Sequence, residues 1–174
     1  MKSNYLIYSG CLLFSLAFSS CSKNDDDELN DNDRGFMIKA SISNTAELGT
    51  ATLALNKATN VAVRAYANHM IVEHGTAQTD LKNLGTRVGF AVKDTLDPAH
   101  IAIATQLSAL SGRQFDSAYI HTQIVDHNAT SANFQLEQTA GQHSDVKNYA
   151  NTYRPHIEMH LTRADSIAAA YFRR

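Results

Sequence analysis

The chain has 174 residues and a mass of 19.1 kDa, enough for one domain of ordinary size and too few for two. Apolar residues make up 44% and charged residues 18%, so a packed core is available and neither a disordered chain nor a coiled coil fits. Two prolines and eight glycines leave little room for a turn-rich β-sandwich, and 15 basic against 17 acidic residues with no Lys/Arg tract argue against a nucleic-acid partner held by its phosphates.

Met1 and Lys2 precede an apolar run over 5–18 and then Ser19-Ser20-Cys21. A short positive start, about a dozen apolar residues and small residues before a cut site describe a signal peptide over 1–20. The run falls short of the roughly 20 apolar residues that span a bilayer. Phe18-Ser19-Ser20-Cys21 resembles the bacterial lipobox, with Phe18 where Leu is usual. This makes Cys21 the expected lipidation site and the membrane an expected partner. Cys11 follows Gly10 but would leave too short an apolar run. With Cys11 removed and Cys21 acylated, no thiol is left for a disulfide or a metal.

Residues 21–33 carry Asp25, Asp26, Asp27, Glu28, Asp31 and Asp33 against Lys23 alone, and read as a solvated tether. Such an acid cluster also resembles the surface-export signals of some Gram-negative lipoproteins, with a plain spacer the equal alternative. From Arg34 onward 13 basic and 11 acidic residues remain, so the negative charge belongs to the tether.

Residues 34–174 read as one all-α domain. Apolar spacing of helical period predicts four long helices over 34–57, 60–88, 112–141 and 144–172. The second repeats Val63, Ala67, Met70, His74, Ala77, Leu81, Leu84 and Val88 at spacings of 4 and 3; the fourth repeats Val146, Ala150, Tyr153, Ile157, His160, Ala164, Ile167 and Tyr171. The third carries Ile120, Ile124, His127 and Phe134, with Ala118, Val125, Ala129, Ala132 and Leu136 beside them, and the first carries Phe36, Ala40, Ser43, Glu47, Thr50 and Ala54. Such stripes face partner helices in a bundle. Thr59 and Ser144 are N-cap candidates, and Asp97-Pro98 opens a short helix over 100–110 in the link between the second and third long helices. Two short links and one long one predict two antiparallel hairpins joined by a crossover, the connectivity of ferritin-like four-helix bundles. Pro155 denies the last helix one backbone bond, and a single bent helix is expected there.

Glu47, His74, His127 and His160 each fall on the inner stripe of one helix, at similar heights for a rise of about 1.5 Å per residue. One carboxylate and three imidazoles can hold one divalent metal, with iron, zinc, manganese and copper all open. The competing reading is a polar core layer whose histidines are neutral and hydrogen-bonded. A di-iron centre is not supported, because Glu-x-x-His does not occur. His69 and Glu73 share a face at i, i+4, as do His156 and His160; the first pair reads as a solvated face, while His156, Glu73, Asp116 and Tyr119 are candidate accessory residues. Asp116 suits the start of its helix and pairs naturally with Tyr119 one turn on. Gly49 and Gly75, beside Glu47 and His74, suggest close helix approach or room at the polar layer. No phosphate loop, His-Glu-x-x-His or Gly-x-Ser-x-Gly is present, so no reaction is named and a non-catalytic role comes first.

The stretches FMIKASISNTAELGTATLAL at 36–55, ANHMIVEH at 67–74, FDSAYIHTQIVDH at 115–127 and PHIEMHL at 155–161 resemble the recurring blocks of an uncharacterised bacterial family. That family goes under the label "predicted outer membrane protein", a domain of unknown function grouped with ferritin-like bundles. The resemblance covers about 34–170, with Glu73-His74 where Asp-His is common. It implies a ferritin-like fold, an outer-membrane or wider cell-envelope location, and Glu47, His74, Asp116, Tyr119, His127 and His160 as signature positions. It implies no activity. Three readings follow: a lipid-anchored envelope protein of non-catalytic role, a metal-binding or redox protein in the same scaffold, and a module binding an envelope protein or a second copy of itself.

Overall fold

The computed structural model describes residues 28–172. The signal segment at 1–20, Cys21 and the tether up to Asp27 lie outside the described residues. The described part is built of α1 (Asp31–Lys57), α2 (Val61–Arg87), α3 (Pro98–Ala109), α4 (Gly112–Ala140) and α5 (Ser144–Tyr171), with no strand among them. None of these helices is long and apolar enough to cross a membrane.

Where each helix begins follows from its capping chemistry. Asn30 accepts from the Asp33 amide (2.8 Å) and the Asp33 carboxylate accepts from the Asn30 amide (2.7 Å), a reciprocal capping box. The helix therefore starts three residues before the expected Arg34, and Asp33, assigned to a solvated tether, is fully buried. Its carboxylate also accepts from the amides of Gln142 (3.0 Å) and His143 (3.2 Å). Acidic composition alone hid this, because the partners lie 110 residues away. Asn60, not Thr59, caps α2, and His143, not Ser144, caps α5 through Nδ1 accepting from Asp145. Asp97 and Pro98 behave as expected: the Asp97 carboxylate accepts from the His100 amide at 2.9 Å and Pro98 occupies the first turn. The helix α5 runs through Pro155 unbroken; Asn151, whose carbonyl loses its partner there, is exposed.

The connectivity can be read from contacts between helix ends. Asn30 and Asn32 both donate to the Ala140 carbonyl at the far end of α4 (3.0 and 3.1 Å), so α1 and α4 are antiparallel. Thr59 and Asn60, just before α2, bond Asp116 near the start of α4, so α2 and α4 run parallel. Arg87 at the end of α2 meets Asp145 at the start of α5 at 3.6 Å, so those two are antiparallel. The helices α1–α2 and α4–α5 are thus hairpins joined by the 88–111 crossover, as a ferritin-like bundle requires. Within the crossover α3 lies on α1 and α4, with Leu107 buried, and Lys57 Nζ donates to the Ser108 carbonyl.

Two apolar clusters fill the bundle. One joins Ala51, Ala54, Val63, Tyr66, Met70, Phe115, Tyr119, Ile120 and Ile167; the other joins Phe36, Met37, Leu81, Leu84, Phe134, Val146, Tyr149 and Ile157. Glu47, His74, His127 and His160 fall between them on all four long helices. On α2 and α5 the buried residues follow the expected stripes closely, although Val88 and Tyr153 are half-buried and Tyr171 is exposed. On α4 they do not: Ala129 and Ala132 are exposed, as are Val125 (53%) and Leu136 (48%), whereas Phe115, Asp116, Tyr119, Gln123 and Glu137 are buried. The inner stripe of α4 is partly polar, so apolarity pointed to its neighbour. Gly49 and Gly75 are not sites of close approach: a methyl group at Gly49 would meet nothing within 4 Å, and at Gly75 only Leu48 at 3.8 Å. The tight positions are Gly85, where a Cβ would lie 2.4 Å from the Phe90 carbonyl oxygen, and Gly141, where it would lie 2.1 Å from Glu137 Oε1.

Candidate metal centre

His74 from α2, His127 from α4 and His160 from α5 meet between the apolar clusters, exposed by only 4%, 1% and 2%. One nitrogen of each lies within 4.8 Å of the other two, and the ring centroids are 5.3 to 5.6 Å apart.

Partners decide which nitrogen carries the proton. His74 Nδ1 lies 2.9 Å from Asn44 Oδ1, and His127 Nδ1 lies 2.9 Å from the Gln123 carbonyl oxygen. Both partners only accept, so each Nδ1 donates and each Nε2 keeps a lone pair. His160 Nδ1 lies 3.4 Å from His127 Nε2 and donates to it, leaving His160 Nε2 bare. Neither His74 Nε2 nor His160 Nε2 has a hydrogen-bond partner. A metal-binding imidazole is oriented in this way, with its second nitrogen tied to a carbonyl or amide oxygen. Two ligands about 2.0–2.1 Å from a tetrahedral ion lie about 3.3–3.4 Å apart. The separation of His127 Nε2 from His160 Nδ1 matches that edge, and His160 would bind through Nδ1 once its proton moves to Nε2.

Burial also keeps the rings neutral. It pushes His127 down to about 4 and His160 to about 3, and lowers His74 well below the usual range, with the neighbouring rings adding to the effect on His74 and His160. Near neutral pH no imidazolium has to lose a proton before a cation binds, and only the Nδ1 proton of His160 has to move.

Glu47 takes a different place from the one its stripe suggested. Its Oε1 is 3.6 Å from His127 Nδ1, the nitrogen already bound to Gln123, so it backs that ring and does not join the converging nitrogens. Burial raises Glu47 to about 8 in spite of a hydrogen bond from Gln123, so the carboxyl is largely protonated at neutral pH. Its Oε2 is unpartnered, as are the buried hydroxyls of Tyr66 and Tyr119, whose ionisation is opposed by burial first and by any charge on Glu47 second.

The other candidate residues separate into two places. Asp116 lies eleven residues before His127, about 16 Å along α4, and binds the α1–α2 turn through the Thr59 amide (3.1 Å), Thr59 Oγ1 (2.6 Å) and the Asn60 amide (2.9 Å). It is an anchor of the turn and not a ligand. Tyr119 does not bond Asp116; its ring stacks on Phe115 at 6.2 Å and its hydroxyl is free. Glu73 and His156 meet at the α2–α5 groove, His156 Nδ1 donating to Glu73 Oε2 at 2.7 Å. His69 joins them: one ligand atom each of His69, Glu73 and His160 lies within 4.8 Å of the others. Sequence reasoning left His69 on a solvated face. The signal was the pair of i, i+4 spacings, His69/Glu73 and His156/His160, on helices that turn out to be neighbours.

The fold and the site together are those of a ferritin-like helical bundle with three buried imidazoles gathered at mid-height. Residues 19–167 match the family described as "Domain of unknown function (DUF4142)", and the chain belongs to that family. The crystal structure of a DUF305 fragment from Deinococcus radiodurans is similar in fold, with a TM-score of 0.73 at 14% identity, covering 82% of this chain and 99% of that one. No curated protein matches.

Proposed function

We propose that this protein is a lipid-anchored cell-envelope protein whose ferritin-like domain binds one divalent transition-metal ion through His74, His127 and His160. The observation that carries the reading is the set of three neutral, fully buried imidazoles from three helices, with His74 and His127 tethered on Nδ1, His74 Nε2 bare, and His127 Nε2 only 3.4 Å from His160 Nδ1. A purely structural polar layer has its donors and acceptors paired with protein or ordered water, and here the protein itself supplies no partner to His74 Nε2 or His160 Nε2. Imidazole suits zinc, copper and iron better than manganese, which prefers oxygen ligands. Three protein nitrogens leave a fourth position for water or a small molecule, as catalytic sites do and closed structural sites do not. Glu47, Tyr66 and Tyr119 would then supply a protonated carboxyl and two phenols near the site. Anchoring at Cys21 rests on the lipobox-like Phe18-Ser19-Ser20-Cys21.

Elemental analysis of the untagged protein after exposure to zinc, copper and iron tests the reading, beside the His74→Ala/His127→Ala variant. Close to one ion per chain is expected in the parent and a large loss in the folded variant. A parent that holds no ion after all three exposures would make the histidines structural.

A further inference from the structure

The core trio is buried between two apolar clusters, so a cation needs a route to it. On the α2–α5 side, His69 and Glu73 lie one turn apart on α2 and face His156 and His160, one turn apart on the antiparallel α5. The ring of His69 is 5.3 Å from that of His160. The His156 and Glu73 side chains are 44% and 27% exposed, whereas His160 is buried, so the four residues form a gradient from solvent to core. A small cavity, with about 10 Å³ open to the centre of a water-sized sphere, is lined by Asn44, Glu73, His74, Tyr153, His156 and His160. That is about the space of one water. It touches both the outer residues and two members of the trio. Asp80, which accepts from the hydroxyl of the lining residue Tyr153 at 2.5 Å, adds a second carboxylate on this side of the bundle, which attracts cations.

We propose that His69, Glu73 and His156, together with His160, form a loading site that captures a divalent cation at the α2–α5 groove and passes it to the buried trio through His160. This rests on the reading of the trio as a metal site. His160 is the one side chain common to both sets of ligands. The two sets therefore act in succession, and His160 cannot serve an ion in each as an ordinary neutral ligand. The outer set offers the charge of Glu73, which the trio lacks, so it suits capture. The inner set offers neutral, desolvated nitrogens, which suits retention.

Zinc loading of the metal-free full-length protein, followed by stopped flow with a chromophoric zinc chelator, tests this on the parent and three variants. Glu73→Gln/His156→Gln should still take up one zinc per chain at equilibrium but load at least ten-fold more slowly than the parent. His74→Ala/His127→Ala should keep one weak zinc site, at least 100-fold weaker than the parent, which disappears when Glu73→Gln and His156→Gln are added. Circular dichroism checks the helical content of each variant. Loading of Glu73→Gln/His156→Gln at the parental rate would overturn the loading site, as would complete loss of zinc from His74→Ala/His127→Ala; in either case a parent that binds one zinc leaves the trio standing. A parent that binds none overturns both.

Discussion

Two buried polar regions of this bundle are built on opposite principles. At the α1–α2 end, Asp116 receives three hydrogen bonds from Thr59 and Asn60, and both of its oxygens are used. At mid-height, the histidine layer leaves His74 Nε2, His160 Nε2, Glu47 Oε2 and Gln123 Oε1 without partners, although each is fully shielded from solvent. An unpaired buried polar atom costs about 1–3 kcal/mol, so these four atoms need a partner that the protein does not supply. The saturated region holds the fold together. The unsaturated one leaves acceptors that the ion proposed above could use.

The first way to break that comparison is to remove the saturated group. Asp116→Ala deletes three bonds to a buried carboxylate, each of about 1.5–3 kcal/mol, and leaves the Thr59 and Asn60 amides unpaired. A loss of about 4 kcal/mol or more is expected in urea unfolding, together with unchanged metal content in whatever fraction remains folded. Stability within about 1 kcal/mol of the parent would show that the α1–α2 turn is held by other contacts.

The second sharpens it through pH, because the unsaturated layer keeps its groups neutral. Glu47 titrates at about 8 when folded, against a usual 4.5, so between those values the folded state holds more protons and stability falls as pH rises. The histidines act in the other sense: with His127 at about 4 and His160 at about 3, the unfolded chain holds more protons below about 6.5 and stability falls as pH drops. The metal-free protein should therefore be most stable near pH 6. Glu47→Gln mimics the protonated acid, so its stability should gain on the parent as pH climbs, by about 3 kcal/mol at pH 7 at roughly 1.4 kcal/mol per pKa unit. Burial also raises Glu137 to about 8, so part of the alkaline decline should remain in the variant. Parallel curves for variant and parent from pH 5 to 8, measured with a chelator present, would mean that Glu47 is ionised in the folded state.

The contrast between the regions also explains what could be read from the sequence. On α2 and α5 the inner stripes are apolar apart from single histidines, so their period exposed the bundle and brought His74 and His160 to its axis. On α4 the inner stripe includes Asp116, Gln123 and Glu137, and a search by apolarity drifted onto the exposed Val125 and Leu136. Polar residues with distant partners look solvated in a sequence, since their partners can be found only after folding. The same blindness placed Asp33 in a tether and His69 on an open face. Its converse placed Glu47 among the ligands: a shared stripe specifies a height and a side, but not which nitrogen of a neighbouring ring a carboxyl meets.

Asn30 supplies the mildest test, at the end of the bundle remote from the α1–α2 turn. Its side chain accepts from the Asp33 amide at 2.8 Å and donates to the Ala140 carbonyl at 3.0 Å, so it both caps α1 and ties it to the end of α4. Asn30→Ala removes both bonds but leaves Asp33 its backbone donors at Asn30, Gln142 and His143. The expected cost is that of a lost N-cap, about 1 kcal/mol, with no effect on zinc loading. A protein shortened to start at Arg34 removes Asp33 as well and strands the Gln142 and His143 amides, so it should lose distinctly more than Asn30→Ala. Equal stability of the two in urea would show that Asp33 contributes little, and that the acidic stretch ahead of Arg34 is a tether after all.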